Sequence, residues 1–391
     1  TAHHKRILLV SHEYPPIGGG GATAARTLAE EQVREGHEVV VLTSGMPDLP
    51  RTETVRGVQV VRTACWRRAR HYSTAPELAS WLPSAFLAGD ALLRASTFDV
   101  VHAHFVVPGA IVARPLATRH GLPLVLTAHG SDVPGYNPDR FSLIHRLIRP
   151  YWRYLANGAD SMTVPSQHLA RLIASAGGPD ALLVPNAFAA SGSVPDRARV
   201  RGRILVATRL VRRKGVQDLI AAVAGMKDVE LIVAGDGPHA PVLRELAKSL
   251  SCPVDFRGFI DREALAELYA TASIFVLPSS HENFPMVLLE AMGAGCAVVT
   301  TTAPGCQEVV GDAGICVPAG DVAALRSQLD RLVADPTLVD DLAARGRERV
   351  RQFAPDLVAA GFDHAYAAGE DHRVTLQPGV GQQARPKPST H

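Results

Sequence analysis

Short apolar, β-branched runs alternate with longer helix-like stretches along nearly the whole chain, and no other feature restricts its fold so much. In the first half the runs fall at residues 6–10, 38–43, 58–62, 99–103, 124–128, 161–164 and 182–184, with helix candidates at 23–35, 77–94, 140–156 and 166–176. A run that is apolar at every position belongs to a strand buried on both faces, and strands separated by helices pair in parallel. The prediction is therefore α/β, with parallel sheets covered by helices on both sides.

The alternation pauses at residues 189–196, a stretch of small and turn-forming residues, and restarts with runs at 203–207, 230–234, 254–256, 274–277, 297–301 and 315–317. Two Rossmann-like domains follow, over 1–190 and 200–352. Parallel sheets bind ligands beyond the C-terminal ends of their strands, so two such sheets facing one another enclose an interdomain cleft. Residues 370–391 lack apolar periodicity and read as a disordered tail.

Charge and cysteine usage exclude several classes. Residues 1–190 carry 18 basic and 14 acidic side chains (+4) and residues 191–391 carry 22 and 24 (−2), which sum to the net +2 of the chain. That is too mild for a nucleic-acid binder. Five cysteines without a C-x-x-C spacing fit reduced thiols in a cytoplasmic protein. No run approaches the roughly 18 apolar residues of a spanning helix.

Four motifs sit where strands end. Gly18 to Gly21 precede a helix expected from about Ala22, and glycines before a helix start let backbone amides approach an anion. Gly19-x-Gly21-x-x-Ala24 also fits a dinucleotide fingerprint formally. However, seven residues separate the glycine run from the first strand, and no acidic residue follows the second strand to grip a ribose. His129, after the run at 124–128, can reach into a cleft to hydrogen-bond or assist proton movement; His102 and His104 form a similar pair. Arg209 and Lys214 stand five apart across a turn, where a forked guanidinium and a compact ammonium suit a diphosphate. Glu282 follows the strand at 274–277, and Glu290 lies eight residues on, inside an apolar helix with Pro285 as its first residue. Between the two acids, Asn283, Phe284 and Pro285 frame the helix start.

These motifs, in this order over residues 6–352, resemble the retaining GT-B glycosyltransferases of family 4. The resemblance implies two facing Rossmann-like domains, a nucleotide-sugar donor on the second and an acceptor on the first. It implies that Arg209 and Lys214 neutralise the donor's phosphates under the loop of Gly19, Gly20 and Gly21. Glu282 would contact the sugar hydroxyls with the amides of Asn283, Phe284 and Pro285, Glu290 would hold the ribose, and His129 would sit beside the sugar. It also implies a C-terminal helix, at 355–368, crossing back onto the first domain. Phe284 stands where the family often has glycine.

No Asp-x-Asp pair occurs, so no metal or other cofactor is expected, and fixed cations take over stabilisation of the leaving group. The expected enzyme is a retaining, metal-independent glycosyltransferase using a UDP-sugar in preference to a GDP-sugar. Its acceptor is a small molecule or a lipid-linked hydroxyl. Arginines around Trp66 make residues 62–94 either a peripheral contact with an anionic inner membrane face or a solvated basic loop. A GT-B nucleotide-sugar epimerase or phosphorylase is the alternative.

Overall fold

A computed structural model describes residues 4–70, 73–136, 142–189 and 198–376. The first sheet and its helices run β1 (Arg6–Val10), α1 (Gly20–Arg34), β2 (Glu38–Ser44), β3 (Thr52–Val55), β4 (Val58–Thr63), α2 (Ala75–Ala95), β5 (Val100–His104), α3 (Gly109–His120), β6 (Leu124–Thr127), α4 (Ser142–Ala156), β7 (Ser161–Val164), α5 (Gln167–Ala176) and β8 (Leu182–Leu183). The second runs β9 (Val200–Ala207), α6 (Val216–Val223), β10 (Glu230–Ala234), α7 (Ala240–Ser249), β11 (Val254–Gly258), α8 (Arg262–Thr271), β12 (Ala272–Leu277), α9 (Met286–Ala294), β13 (Ala297–Thr301), α10 (Pro304–Val310), β14 (Ile315–Val317), α11 (Val322–Ala334) and α12 (Pro336–Val350). A last helix, α13, spans Pro355–Leu376.

The strand orders are β3-β4-β2-β1-β5-β6-β7-β8 and β11-β10-β9-β12-β13-β14. Every pairing is parallel except β3 with β4. That hairpin turns through Arg56 and Gly57, both at positive φ, as a two-residue turn between twisted strands requires. Sequence periodicity missed β3, because three of its four residues are exposed at the sheet edge and form no apolar run.

Burial on both faces explains the apolar runs. In β1, Leu8 and Val10 join a core with Trp81 of α2, Leu116 of α3, Trp152 of α4 and Ile173 of α5. Ile7 and Leu9 point the other way, into a core with Leu28 of α1 and Val358, Phe362 and Tyr366 of α13. Each such side chain stabilises the fold by about 1.5–3 kcal/mol. α2 begins at a capping box, in which Glu77 accepts from the Thr74 amide and hydroxyl.

The C-terminal helix crosses back onto the first sheet and continues to Leu376, beyond the expected end at 368 and into the tail expected from 370. Residues 377–391 and 190–197, the latter holding all of the expected break at 189–196 except Ala189, lie outside the described residues. No helix of the described residues is long and apolar enough to cross a membrane.

α13 is tied down by a buried hydroxyl. Gln32 Nε2 donates to Tyr366 Oη at 2.7 Å, and His102 Nδ1 lies 2.9 Å from the same oxygen. Tyr366→Phe is expected to lower unfolding free energy by about 1–3 kcal/mol, since it strands two buried polar groups. Urea denaturation of the two proteins checks this, and equal midpoints would show that the hydroxyl contributes nothing.

Candidate active site

The glycine loop connects β1 to α1. The helix starts at Gly20, two residues before the expected Ala22, so the Gly20 and Gly21 amides are themselves among the free N–H groups of its first turn. Gly18 sits at φ +107°, where L side chains are strained. Gly21 is needed for space: a Cβ there would come within 2.8 Å of the Phe105 ring and 3.4 Å of His129. At Gly20 a Cβ would stand 3.7 Å from Met286 of α9, so this helix start faces the second half of the molecule. Beneath the loop, burial pushes the Glu13 carboxyl up, but His12, Arg67 and the Gly19 amide together hold it below its ordinary value.

His129 follows β6 and is framed by Asp132. The Asp132 carboxylate accepts from the amides of Val106 (2.7 Å), His129 (3.0 Å) and Gly130 (2.9 Å), shaping the turn at both strand ends. The imidazole of His129 meets that of His104, with Nε2 2.8 Å from Nδ1. Burial keeps these rings neutral: it pulls His129 down to about 4, His102 to about 3 and His104 well below its ordinary value.

In the second half, β9 leads to Arg209 and then to a tight turn at Arg212–Lys214 closed by Gly215. A side chain at Gly215 would strike the Pro278 carbonyl oxygen at 1.9 Å, so glycine lets this turn pack on the loop after β12. Lys214 Nζ consequently reaches Glu282 Oε1 at 2.5 Å, a pair assembled from residues 68 apart. Arg209 is exposed and makes no ion pair or side-chain hydrogen bond among the described residues. Glu290, on α9, accepts from Tyr269 Oη at 3.0 Å. Burial raises its pKa, with Tyr269 and Arg262 opposing.

One expectation here needs correction. Pro285 is the residue before α9 and not its first member, because its ψ of 101° is extended. The Phe284 side chain turns away into a core, edge-on to Phe353 with ring centroids 5.6 Å apart. Asn283 uses its side chain to join the two halves: Oδ1 accepts from Ser166 Oγ at 2.6 Å, and Nδ2 donates to the His129 carbonyl at 2.8 Å. A second tie, invisible in the sequence, runs from α10 to α5. There Glu308 accepts from the Gln167 and His168 amides at 2.6 and 3.0 Å.

Between the halves lies a cavity of about 170 Å³. Of the expected residues, Gly20, Gly21, His129, Glu282, Asn283 and Phe284 line it. Gly19, Arg209, Lys214, Pro285 and Glu290 do not, although Lys214 is bonded to one that does. Tyr136 and Asn186 also line it and were missed; Asn186 lies just beyond β8, and its position after a strand was the available signal. The only cluster of metal-type ligands among the described residues, Glu35, His37 and Asp363, stands at the opposite end of α1. In the 62–70 segment, Arg62 and Arg67 are buried, leaving Arg68, Arg70 and Trp66 to face outward.

Comparison with known proteins agrees with this arrangement. Residues 18–189 match the family model described as Glycosyltransferase Family 4, and residues 201–335 match that described as Glycosyl transferases group 1. The chain is 31% identical to the 2-deoxystreptamine N-acetyl-D-glucosaminyltransferase of Streptomyces fradiae, across 96% of this chain and 95% of that protein. It is similar in structure to a sucrose-phosphate synthase from Thermosynechococcus elongatus, with a TM-score of 0.75 at 22% identity over 93% of this chain and 98% of that one. Anabaena HepE in complex with UDP and glucose matches with a TM-score of 0.73 at 19% identity, over 93% and 100%.

The neutral histidines predict an acid-sensitive fold. Unfolding below the ordinary value of 6.5 lets each ring take up a proton that the folded state refuses. Stability should be level above about pH 7 and fall as pH drops through 6.5, by about 1.4 kcal/mol per pH unit for each ring. The loss continues until the folded-state values, about 4 for His129 and about 3 for His102, are reached. Denaturant midpoints at pH 7.5 and pH 5 measure it; identical midpoints would mean that these rings are charged in the fold.

Proposed function

The chain belongs to family 4 of the glycosyltransferases, the group 1 enzymes, and on that premise we propose that it transfers a sugar from a UDP-sugar to a hydroxyl of a small-molecule acceptor, with retention and without a metal. The observation that carries this reading is the cavity walled on one side by the amide-bearing start of α1 and on the other by Glu282, which Lys214 holds from behind in an ion pair.

A helix start carries partial positive charge and free N–H donors, which suits the diphosphate of a donor molecule. Lys214, with Arg209 on the same turn, supplies formal positive charge to the leaving group. When phosphate oxygens take over Lys214, Glu282 is released to accept hydrogen bonds from sugar hydroxyls. Glu290, already holding Tyr269, offers its second oxygen to the ribose. His129 is neutral at physiological pH, so it acts as a hydrogen-bonding group and not as an acid. The acceptor's proton then passes to the departing diphosphate oxygen as the new bond forms on the same face of the sugar.

A soluble acceptor, such as a cyclitol or another sugar, fits better than a membrane-embedded one. Burial of Arg62 and Arg67 halves the outward positive charge around Trp66. The Streptomyces fradiae relative is also named for a cyclitol-type acceptor, 2-deoxystreptamine. No observation favours an epimerase or a phosphorylase.

A panel of nucleotide sugars tests the donor by thermal shift, where a ligand at 100 times its Kd adds about 2.7 kcal/mol. UDP-sugars are expected to stabilise the chain and GDP-sugars not. Lys214→Ala and Arg209→Ala should each lower kcat by on the order of 10²-fold. EDTA should leave turnover unchanged; abolition by EDTA with recovery on adding Mn²⁺ would overturn the metal-free reading.

A further inference from the structure

His104 is used by none of the steps above, yet among the described residues it is the one side chain that hydrogen-bonds the imidazole of His129. The parallel register sets His104 of β5 beside Thr127 of β6. Side chains two apart on a strand share a face, so His102 and His104 project together with Thr127 and His129. The four close into two bonds: His102 Nε2 to Thr127 Oγ1 at 2.7 Å, and His104 Nδ1 to His129 Nε2 at 2.8 Å. The His104 and His129 rings lie nearly parallel, 18° apart with centroids at 5.1 Å, and Phe105 closes on His129 from 4.5 Å.

Two neutral imidazoles joined this way share a single bridging proton, so the tautomer of one dictates that of the other. If His129 donated, His104 would carry its own N–H on Nε2. That atom is buried and has no hydrogen-bonding partner among the described residues. His104 lines a small cavity with Ala24, Leu28, Val358 and Phe362, and the Asn186 side chain that also lines it makes no hydrogen bond to Nε2. The one hydroxyl there, Thr127 Oγ1, already serves His102 and Thr163. An orphaned buried N–H costs more than an unused lone pair. The favoured arrangement therefore puts the His104 proton on Nδ1, donated to His129 Nε2, and leaves the second proton on His129 Nδ1. That nitrogen faces the glycine loop, 3.4 Å from where a Cβ on Gly21 would lie.

We infer that His104 is a positioning residue that locks His129 in its Nδ1–H tautomer, so that His129 presents a fixed hydrogen-bond donor, and no basic nitrogen, to the sugar in the cavity. This rests on the proposed function for the identity of the ligand, though not for the state of the ring pair. The ligand group it suits is an oxygen that accepts a hydrogen bond, and a deoxy sugar lacking that oxygen leaves a buried N–H unanswered.

The test separates the two. Two-bond 15N–1H spectra of the ligand-free, histidine-labelled full chain, assigned with His129→Gln, read the tautomer without any turnover. Wild type is expected to show His129 protonated on Nδ1 and bare on Nε2. His104→Asn keeps an amide donor where Nδ1 stood, and should preserve that spectrum and keep kcat/KM within a few-fold of wild type. His104→Leu should give a mixed tautomer and lower kcat/KM roughly tenfold, the worth of one hydrogen bond in the transition state, with UDP binding unchanged. Protonation of His129 on Nε2 in wild type overturns the inference. So does full activity in His104→Leu, or a loss in the Asn variant as deep as in the Leu variant. If no nucleotide sugar is turned over, the proposed function fails while the spectrum still decides the ring pair.

Discussion

The site exists because the C-terminal edges of two parallel sheets are held face to face by a few polar ties, one of them fully buried. Asn283 spans the gap with both ends of its amide, taking a proton from Ser166 and giving one to the His129 carbonyl. Glu308 lays its carboxylate on the first amides of α5, where unpaired N–H groups and the helix dipole both favour negative charge. Because the Glu308 carboxylate is only part-buried, solvent screening keeps the contribution of these bonds to about 1 kcal/mol or less. The backbone adds another link where the Phe188 amide donates to the Phe353 carbonyl, beside the ring on which Phe284 packs. Without these contacts Gly20 and Met286 would not meet, and neither sheet alone encloses the cavity.

Closing two protein surfaces on charged groups carries a desolvation cost, and the residues around this cavity are arranged to limit it. Lys214 is paired with Glu282, Glu13 with Arg67 and His12, and Asp132 with three backbone amides. His129, which lines the cavity, and its partner His104 are kept neutral by burial. On the proposed reading the Lys214–Glu282 pair is also the element that senses a donor, because one phosphate displaces a carboxylate and frees it for the sugar in the same event. Neither charge is then left buried and uncompensated, which in a broken internal pair costs about 3–5 kcal/mol.

What could be read in the sequence, and what could not, divides by the range of the interaction. Strands such as β1, β5 and β12 were legible because burial on both faces leaves an uninterrupted apolar signature. The capping box of α2 is likewise a local feature, its partners Thr74 and Glu77 only three residues apart. The start of α1 was misjudged because glycine is a poor helix former, and packing against Phe105 and Met286 decides the matter there. Local pattern could not reveal the Asn283–Ser166 bond, 117 residues across the chain, or the Glu308–His168 bond, 140 across. Lys214 and Glu282 were each picked out as site residues, but their union depends on Gly215 fitting under Pro278. Tyr136 carries no local motif at all, and Asn186 has only its position after β8, so the closed cavity is what identifies them.

The four glycines illustrate how one motif supports two chemistries until its neighbours are known. Gly19-x-Gly21-x-x-Ala24 satisfies the spacing of a dinucleotide site, in which phosphates rest within the crevice of a single sheet. Here Gly18 supplies a backbone angle, whereas Gly20 and Gly21 supply proximity, one to Met286 of the other half and one to Phe105 and His129. The amides at the start of α1 therefore open onto a space whose opposite wall, Glu282 to Phe284, belongs to the second sheet. A ligand held there must touch both halves at once. That requirement suits a nucleotide joined through a diphosphate to a sugar, and it makes the glycines meaningful only in the closed pair of domains.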